Sequence, residues 1–102
     1  MVGDSDIQVW LETIARSKPA VIVPYVRSSA DTTLRYKMRT VKQSDSGKSV
    51  IGQGGVVTVL ADVPAALSRM SLSRSPNDEC EIDLVLSEAG VADRSYHFKC
   101  PD

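Results

Sequence analysis

The sequence predicts an all-β protein, an immunoglobulin-like β-sandwich of about seven antiparallel strands. Two observations predict this fold class. Apolar side chains alternate with polar ones, or form β-branched runs, over short stretches that turn-forming residues separate. In addition, no stretch carries the apolar period of an amphipathic helix. A chain of 102 residues suffices for one modest core, so residues 6–101 are expected to form a single domain after a short tail at residues 1–5.

Two strands are predicted in the first quarter of the chain. Residues 6–15 alternate between apolar and polar positions from Ile7 onward, which is typical of a strand with one buried face. Residues 20–26 form the β-branched run AVIVPYV. Pro24 interrupts this run. Because proline has no N–H to donate to a sheet, it predicts an edge position or a bulge.

A long hairpin is predicted next. Residues 32–43 alternate between apolar and polar side chains, and the cluster SDSG at 44–47 predicts a turn. Residues 48–60 are expected to return as an extended strand. The glycines of GQGG at 52–55 predict a bulge or a bend within that strand.

Three further strands are predicted in the remainder of the chain. Residues 63–73 form the first of them, and the cluster SPND at 75–78 predicts the turn that follows. Residues 81–87 and 94–100 form a final antiparallel pair around a connection at 88–92. Both members of this pair alternate between apolar and polar positions, so each is expected to bury one face.

The predicted third strand contains an unusual charge pattern within LRYKMRTVK at 34–42. Successive side chains of a strand point to opposite faces, so Leu, Tyr and Met share one face, which is expected to lie in the core. The other face contains Arg35, Lys37 and Arg39, and Lys42 is expected to extend it. This second face is either a solvated surface or a docking strip for an acidic partner.

The only two cysteines fit one register of the final pair. If Cys80 faces Cys100, then Ile82 faces Phe98 and Leu84 faces Tyr96, all on one apolar face. The polar residues of the pair then share the other face: Glu81, Asp83, His97 and Lys99. Directly opposed residues lie near the separation that a disulfide needs. The alternative is a pair of buried reduced thiols. A disulfide would indicate an oxidising compartment such as a periplasm.

Motifs for catalysis or cofactor binding are incomplete. The sequence around Gly47 lacks the first glycine of a phosphate-binding loop, and residues 52–55 lack the third glycine of a dinucleotide fingerprint. His97 is the only histidine, which excludes a histidine-based metal cluster, and it is expected to lie on the outer face of the last strand. The cysteines are too far apart for a Cys-x-x-Cys motif. We therefore expect a protein that is not an enzyme and needs no cofactor or metal.

Net charge and hydropathy argue against two classes of protein, nucleic-acid binders and membrane-spanning proteins. The formal net charge of −1 argues against a nucleic-acid binder, which is usually strongly basic. No apolar run is long enough to span a membrane. The N-terminal residues 1–6 are short and polar, without the apolar core of a secretory signal. We therefore expect either a cytosolic protein or a mature secreted protein whose leader was replaced by a starting Met.

Charge is distributed unevenly along the chain. Residues 27–48 contain six basic and two acidic side chains, a net charge of +4, whereas residues 78–93 contain six acidic side chains and no basic one. In an immunoglobulin-like sandwich the third and sixth strands are neighbours. Glu81 and Asp83 could therefore pair with the cations of the third strand, and such exposed pairs contribute only about 0–1 kcal/mol each.

The chain resembles the CsgC-like curli chaperones. The segment ALSRMSLS at 66–73 is similar to the Leu-Ser-Arg-hydrophobic-Ser strand of that family. The resemblance extends through VIVPYV at 21–26, LRYKMRTVK, the glycines of 52–55 and Pro101, and covers residues 6–101. One departure matters: TTL at 32–34 stands where some members carry a Cys-x-Cys motif. A redox role tied to that motif is not implied here, and the chain looks closer to the CsgH branch.

The resemblance implies a periplasmic protein that holds curli subunits back from amyloid assembly. The expected partner is the curli major subunit or a similar amyloidogenic acidic polypeptide, met by a monomer through the cations of the third strand. Two alternatives remain open. One is a periplasmic interaction module that adds an exposed edge strand to a partner. The other is a thiol-disulfide enzyme that uses Cys80 and Cys100.

Overall fold

A computed structural model describes residues 7–15, 20–45, 47–72 and 78–100. All regular secondary structure in these ranges is β-strand, as the alternation predicts. The strands are β1 (Ile7–Ala15), β2 (Ala20–Ser28), β3 (Thr32–Ser44), β4 (Gly47–Val59), β5 (Ala65–Ala66), β6 (Met70–Leu72), β7 (Glu79–Glu88) and β8 (Val91–Lys99). The expected tail at 1–5 lies outside the described residues, as do Asp6, Ser73 and Pro101.

The strands form two antiparallel sheets. In the first sheet β2 is central: it pairs with β1 on one side and with the short strands β5 and β6 on the other. The second sheet has the order β4-β3-β7-β8. The predicted third and sixth strands, β3 and β7, are therefore neighbours. The all-β sandwich is confirmed.

The core lies between the inner faces of the two sheets. Ile22 and Val26 from β2 meet Leu34 from β3 and Ile82 and Leu84 from β7, and all five are essentially inaccessible to water. Along β3 and β7 these positions alternate with exposed ones, whereas residues 22–24 of the central strand β2 are all buried. The apolar face predicted for the third strand is thus buried, and the same alternation leaves its opposite face in solvent.

The final hairpin has the predicted register. Ile82 pairs with Phe98 and Leu84 pairs with Tyr96, while Cys80 and Cys100 are joined by a disulfide with their Cα atoms 5.3 Å apart. The connection is shorter than expected, because β7 continues to Glu88 and β8 begins at Val91. Gly90 adopts φ = 79°, a conformation that favours glycine, in the tight turn between them.

Strand β4 has no bulge, so the expectation for residues 52–55 was wrong. The hairpin with β3 runs without a register shift from Ser44↔Gly47 to Thr32↔Val59. The cross-strand packing of Tyr36 explains part of this regularity, because its ring lies over Gly55, where an added Cβ would be 3.2–3.4 Å from the ring and hydroxyl. Its hydroxyl also hydrogen-bonds Ser68 Oγ at 2.7 Å.

Pro24 lies neither at a sheet edge nor at a bulge, which corrects a second expectation. It pairs with Leu11 in the central strand β2. On the other side of β2, pairing stops between β5 and β6, and Pro24 O accepts a hydrogen bond from Leu67 N there. The N and O of one strand residue point to the same side. The missing N–H of proline therefore falls where no strand partner needs it.

The stretch predicted as one strand at 63–73 forms two. Strands β5 and β6 are separated by residues 67–69, which pair with no strand. The eight observed strands therefore correspond to seven predicted ones, with the fifth divided.

Candidate functional site

Three cations form a row on the outer face of the second sheet. Arg35, Lys37 and Arg39 are all exposed, and they alternate along β3 with the buried residues Leu34 and Met38. Residues two apart on a strand lie about 6.6–7 Å apart, so the row is an evenly spaced ladder of positive charge. We call these three residues the cationic row.

The residues beside the cationic row on β4 are mostly glycine, and those beside it on β4 and β7 include a single charged side chain. On β4, Arg35, Lys37 and Arg39 face Val56, Gly54 and Gly52. On β7 they face Ser87, Val85 and Asp83 in the same order. Asp83 is thus the one carboxylate that lies directly beside the row in register.

The cationic row has no ion pair with any carboxylate of the described residues within 4.0 Å. The pairing considered from the sequence, from Glu81 and Asp83 to β3, is therefore absent. Both acids instead contact His97 on β8. His97 Nδ1 lies 2.7 Å from Asp83 Oδ1, and His97 Nε2 lies 3.7 Å from Glu81 Oε1. The two carboxylates of β7 thus contact β8, and the cationic row is not neutralised by them.

These contacts change the titration of His97. The hydrogen bond with Asp83 raises the pKa of His97 above its ordinary value of 6.5. The negative charges of Asp83 and Glu81 act in the same direction, while desolvation and the positive charge of Lys99 oppose them. His97 lies on the outer face of the last strand, as predicted, and it partly neutralises the two acids nearest the cationic row.

Lys42 does not extend the cationic row, which corrects the expectation from the sequence. It lies on the opposite face of β3, next to the buried Thr40 and in register with the buried Cys80. Its side chain is half-buried, with Nζ 4.0 Å from Asp78 Oδ2. The alternation already contained this result, because Lys42 is three residues from Arg39 and odd spacings change faces.

Sequence reasoning missed a groove beside the cationic row. It has a volume of about 630 Å³, and its lining includes Gly52 and Gly54 together with Lys37, Arg39 and Val85. At Gly54 an added Cβ would lie 3.0 Å from Tyr36 O and 3.9 Å from Lys37 Cγ, so a side chain here would meet the first part of the lysine side chain. The turn at 44–47 was the signal, since a two-residue hairpin loop fixes which residues of β4 face β3.

The described residues give little support for a metal site or for a redox-active disulfide. Among the described residues, no group of three or more His, Cys, Asp or Glu side chains is placed to hold a metal ion. The two cysteines are bonded to each other, and only 5% and 6% of their surfaces are exposed. A buried disulfide is poorly accessible to a thiol that would attack it. Within the described ranges no helix is long and apolar enough to cross a membrane.

Comparison with known proteins assigns the family. Residues 3–96 match the family model Tafi-CsgC, described as thin aggregative fimbriae synthesis protein. The chain belongs to this family. The CsgC-like resemblance of the sequence is thereby confirmed.

Individual Tafi-CsgC relatives agree with this assignment. Curli assembly protein CsgC of Escherichia coli strain K12 is 26% identical over 81 residues, which cover 79% of this chain and 74% of the relative. The same figures hold for CsgC of E. coli O1:K1.

Two solved structures share the fold. E. coli curli protein CsgC superimposes with a TM-score of 0.78 at 24% identity, over 91% of this chain and 98% of the other. The solution structure of R. palustris CsgH gives a TM-score of 0.74 at 19% identity, over 92% of each chain. The sandwich is therefore the fold of both CsgC and CsgH.

Proposed function

We propose that this protein is a periplasmic, chaperone-like inhibitor of amyloid nucleation by a curli subunit. Membership of a family whose relatives are curli assembly proteins supports a role with curli components. The observation that carries the finer proposal is the cationic row, an exposed ladder of three like charges that no described carboxylate neutralises. Its chemistry fits an acidic, otherwise polar polypeptide.

The proposed mechanism is transient electrostatic capture. Amyloid nucleation requires subunits to meet in an extended, strand-pairing state. A row of like charges attracts acidic chains over a distance and raises the rate of encounter. Because nuclei are rare, brief contact with them suffices to delay assembly, and the chaperone needs neither tight binding nor ATP. We expect Arg35, Lys37 and Arg39 to supply the attraction.

The test is a fibrillation time course of a curli major subunit with substoichiometric protein. The wild type should lengthen the lag phase, and the triple variant Arg35→Glu, Lys37→Glu, Arg39→Glu should lose most of this effect. Surface changes usually alter stability by about 0.5 kcal/mol or less each, but Asp83 would repel a glutamate at 39, so thermal unfolding must be measured alongside. A folded triple variant that inhibits as well as the wild type would contradict the proposal.

The buried disulfide between Cys80 on β7 and Cys100, which directly follows β8, disfavours the thiol-disulfide alternative. The edge-strand alternative has a specific observation in its favour, the open edge of β4, and this observation leads to the inference below.

A further inference from the structure

The cationic row lies next to an open sheet edge that has no side chain at two of the positions facing the row. Strand β4 is the edge of the second sheet, 13 residues long, and no described strand pairs with its far side. Long edge strands are usually protected by charge, proline or a bulge, because their free N–H and C=O groups attract other strands. Here the register is regular and the only charged residue of β4 is Lys48, near the hairpin turn.

The ladder shows which residues of β4 offer their backbone to that edge. Cys100 N donates to Cys80 O, so the even-numbered residues of β7 bond toward β8 and the odd-numbered ones toward β3. The backbone of Asp83 therefore hydrogen-bonds the backbone of Arg39, and Arg39 has no backbone N–H or C=O left for β4. Its partner on β4, Gly52, must direct its own N–H and C=O to the free edge.

The same alternation applies two residues further along. Gly54, opposite Lys37, also directs its N–H and C=O to the free edge of the sheet. Gly52 and Gly54 thus offer backbone partners at the edge while carrying no side chain on the outer face. Val50 and Val56 flank them and are 50% and 63% exposed. We call Gly52 and Gly54 the glycine gap.

We propose that β4 is the docking edge for an extended acidic segment, and that the glycine gap lets Lys37 and Arg39 reach carboxylates on the added strand. Two strand spacings, about 10 Å, separate β3 from such a strand. A side chain on the intervening strand would block this path. An added Cβ at Gly52 has nothing within 4 Å, and an added Cβ at Gly54 would already touch Lys37 Cγ at 3.9 Å. A lysine or arginine and an opposing carboxylate can together cross that distance.

The geometry selects the occupant. Residues of the added strand that face Gly52 and Gly54 are two positions apart and share the outer face, so the fitting segment carries acids at i and i+2. A second copy of this chain fits poorly, because pairing β4 with β4 would bring two cationic rows together. This inference rests on the proposed function, since it gives the route by which the cationic row meets its client.

Filling the gap tests the inference. Gly52→Thr adds bulk in open space and keeps the backbone donor. Ser49→Thr is the matched control, an exposed residue of β4 that lies on the other face. Gly52→Thr should lose most of the lag-phase extension with a curli major subunit, and Ser49→Thr should retain it. Thermal unfolding identifies any loss that comes from misfolding.

Three outcomes separate the inference from the proposed function. If folded Gly52→Thr inhibits like the wild type while the triple Glu variant does not, the docking edge is overturned and the electrostatic function stands. If both variants inhibit fully, the electrostatic function fails and the inference fails with it. A dimer in sedimentation that Gly52→Thr disrupts would assign the edge to a second copy and overturn the inference.

A peptide titration gives a direct readout of the contact. The probe is a short Thr/Ser peptide with Asp at i and i+2, compared with one of the same composition with Asp at i and i+1, which places the acids on opposite faces. The amide signals of Gly52 and Gly54 should shift, and the first peptide should bind about tenfold more tightly, the scale of one charged hydrogen bond. Equal affinities, absent binding, or shifts on β8 instead of β4 would overturn the inference.

Discussion

At the scale of single residues, the contacts of a few side chains decide which charges face a partner. Asp83 is in register with Arg39 and could neutralise it, yet its carboxylate lies 2.7 Å from His97 Nδ1. Below the pKa of His97 this is a charge-assisted hydrogen bond. The histidine therefore acts as a counter-charge for Asp83, whose carboxylate does not pair with Arg39.

We predict that His97 titrates above pH 6.5 in the folded protein. The hydrogen bond with Asp83 causes the rise, so Asp83→Asn should lower the pKa of His97 toward its ordinary value. Proton NMR titration of the imidazole measures both. A wild-type pKa at or below 6.5, or no change in the Asp83→Asn variant, would contradict the geometry.

The sign of the linked stability change follows from the same contact. Because the folded pKa is raised, the stabilisation by protonated His97 is complete below about pH 6.5 and is lost as pH rises through the folded pKa. A His97→Gln variant should lack this decline. Thermal unfolding of both proteins across this range measures the difference, and parallel curves would argue against it.

At the scale of strands, the two glycines of the glycine gap should respond oppositely to substitution. Gly52→Ala meets open space, whereas at Gly54 the new Cβ would lie 3.0 Å from Tyr36 O. We expect Gly52→Ala to be neutral or slightly stabilising, since glycine weakens a strand, and Gly54→Ala to destabilise by about 1–3 kcal/mol. Denaturant unfolding of the two variants is the measurement, and equal stabilities would show that β4 is not packed as described.

The disulfide gives a second prediction for this scale. Protein made under oxidising conditions should show no free thiol when its intact mass is measured after alkylation without reductant. Replacing Cys80 and Cys100, which are 20 residues apart, by alanine should cost about 3 kcal/mol on the chain-entropy account. Two alkylated cysteines would remove both this prediction and the argument for an oxidising compartment.

Strand registers were predictable from the sequence where a local constraint fixed them. The cysteines fixed β7 against β8, and the turn at 44–47 would have fixed β3 against β4 in the same way. Pro24 was misplaced because its tolerance depends on the gap between β5 and β6, which are distant in sequence. The contact of Asp83 with His97, in place of the cations of β3, depended on side-chain geometry that alternation does not specify.

At the scale of the whole molecule, a nearly neutral chain presents a polarised surface. Its net charge is −1, yet the outer face of the second sheet carries the cationic row in one line on β3. The location of charge, and not its total, is therefore what the proposed function requires.

Raising the ionic strength should weaken the inhibition of fibrillation, since screening at 0.15 M limits the range of interaction between exposed charges to about 8 Å. The time course at several salt concentrations must include the curli subunit alone.

The most direct measurement compares two variants of identical net charge in the fibrillation assay. One reverses Lys37 and Arg39 to Glu. The other reverses Arg27 on β2 and Arg69 between β5 and β6, which are both exposed and belong to the strands and connections of the first sheet. The first variant should lose most of its delay of curli-subunit assembly, and the second should keep most of it. Equal delays from two folded variants would show that only total charge matters, and would contradict a site on β3.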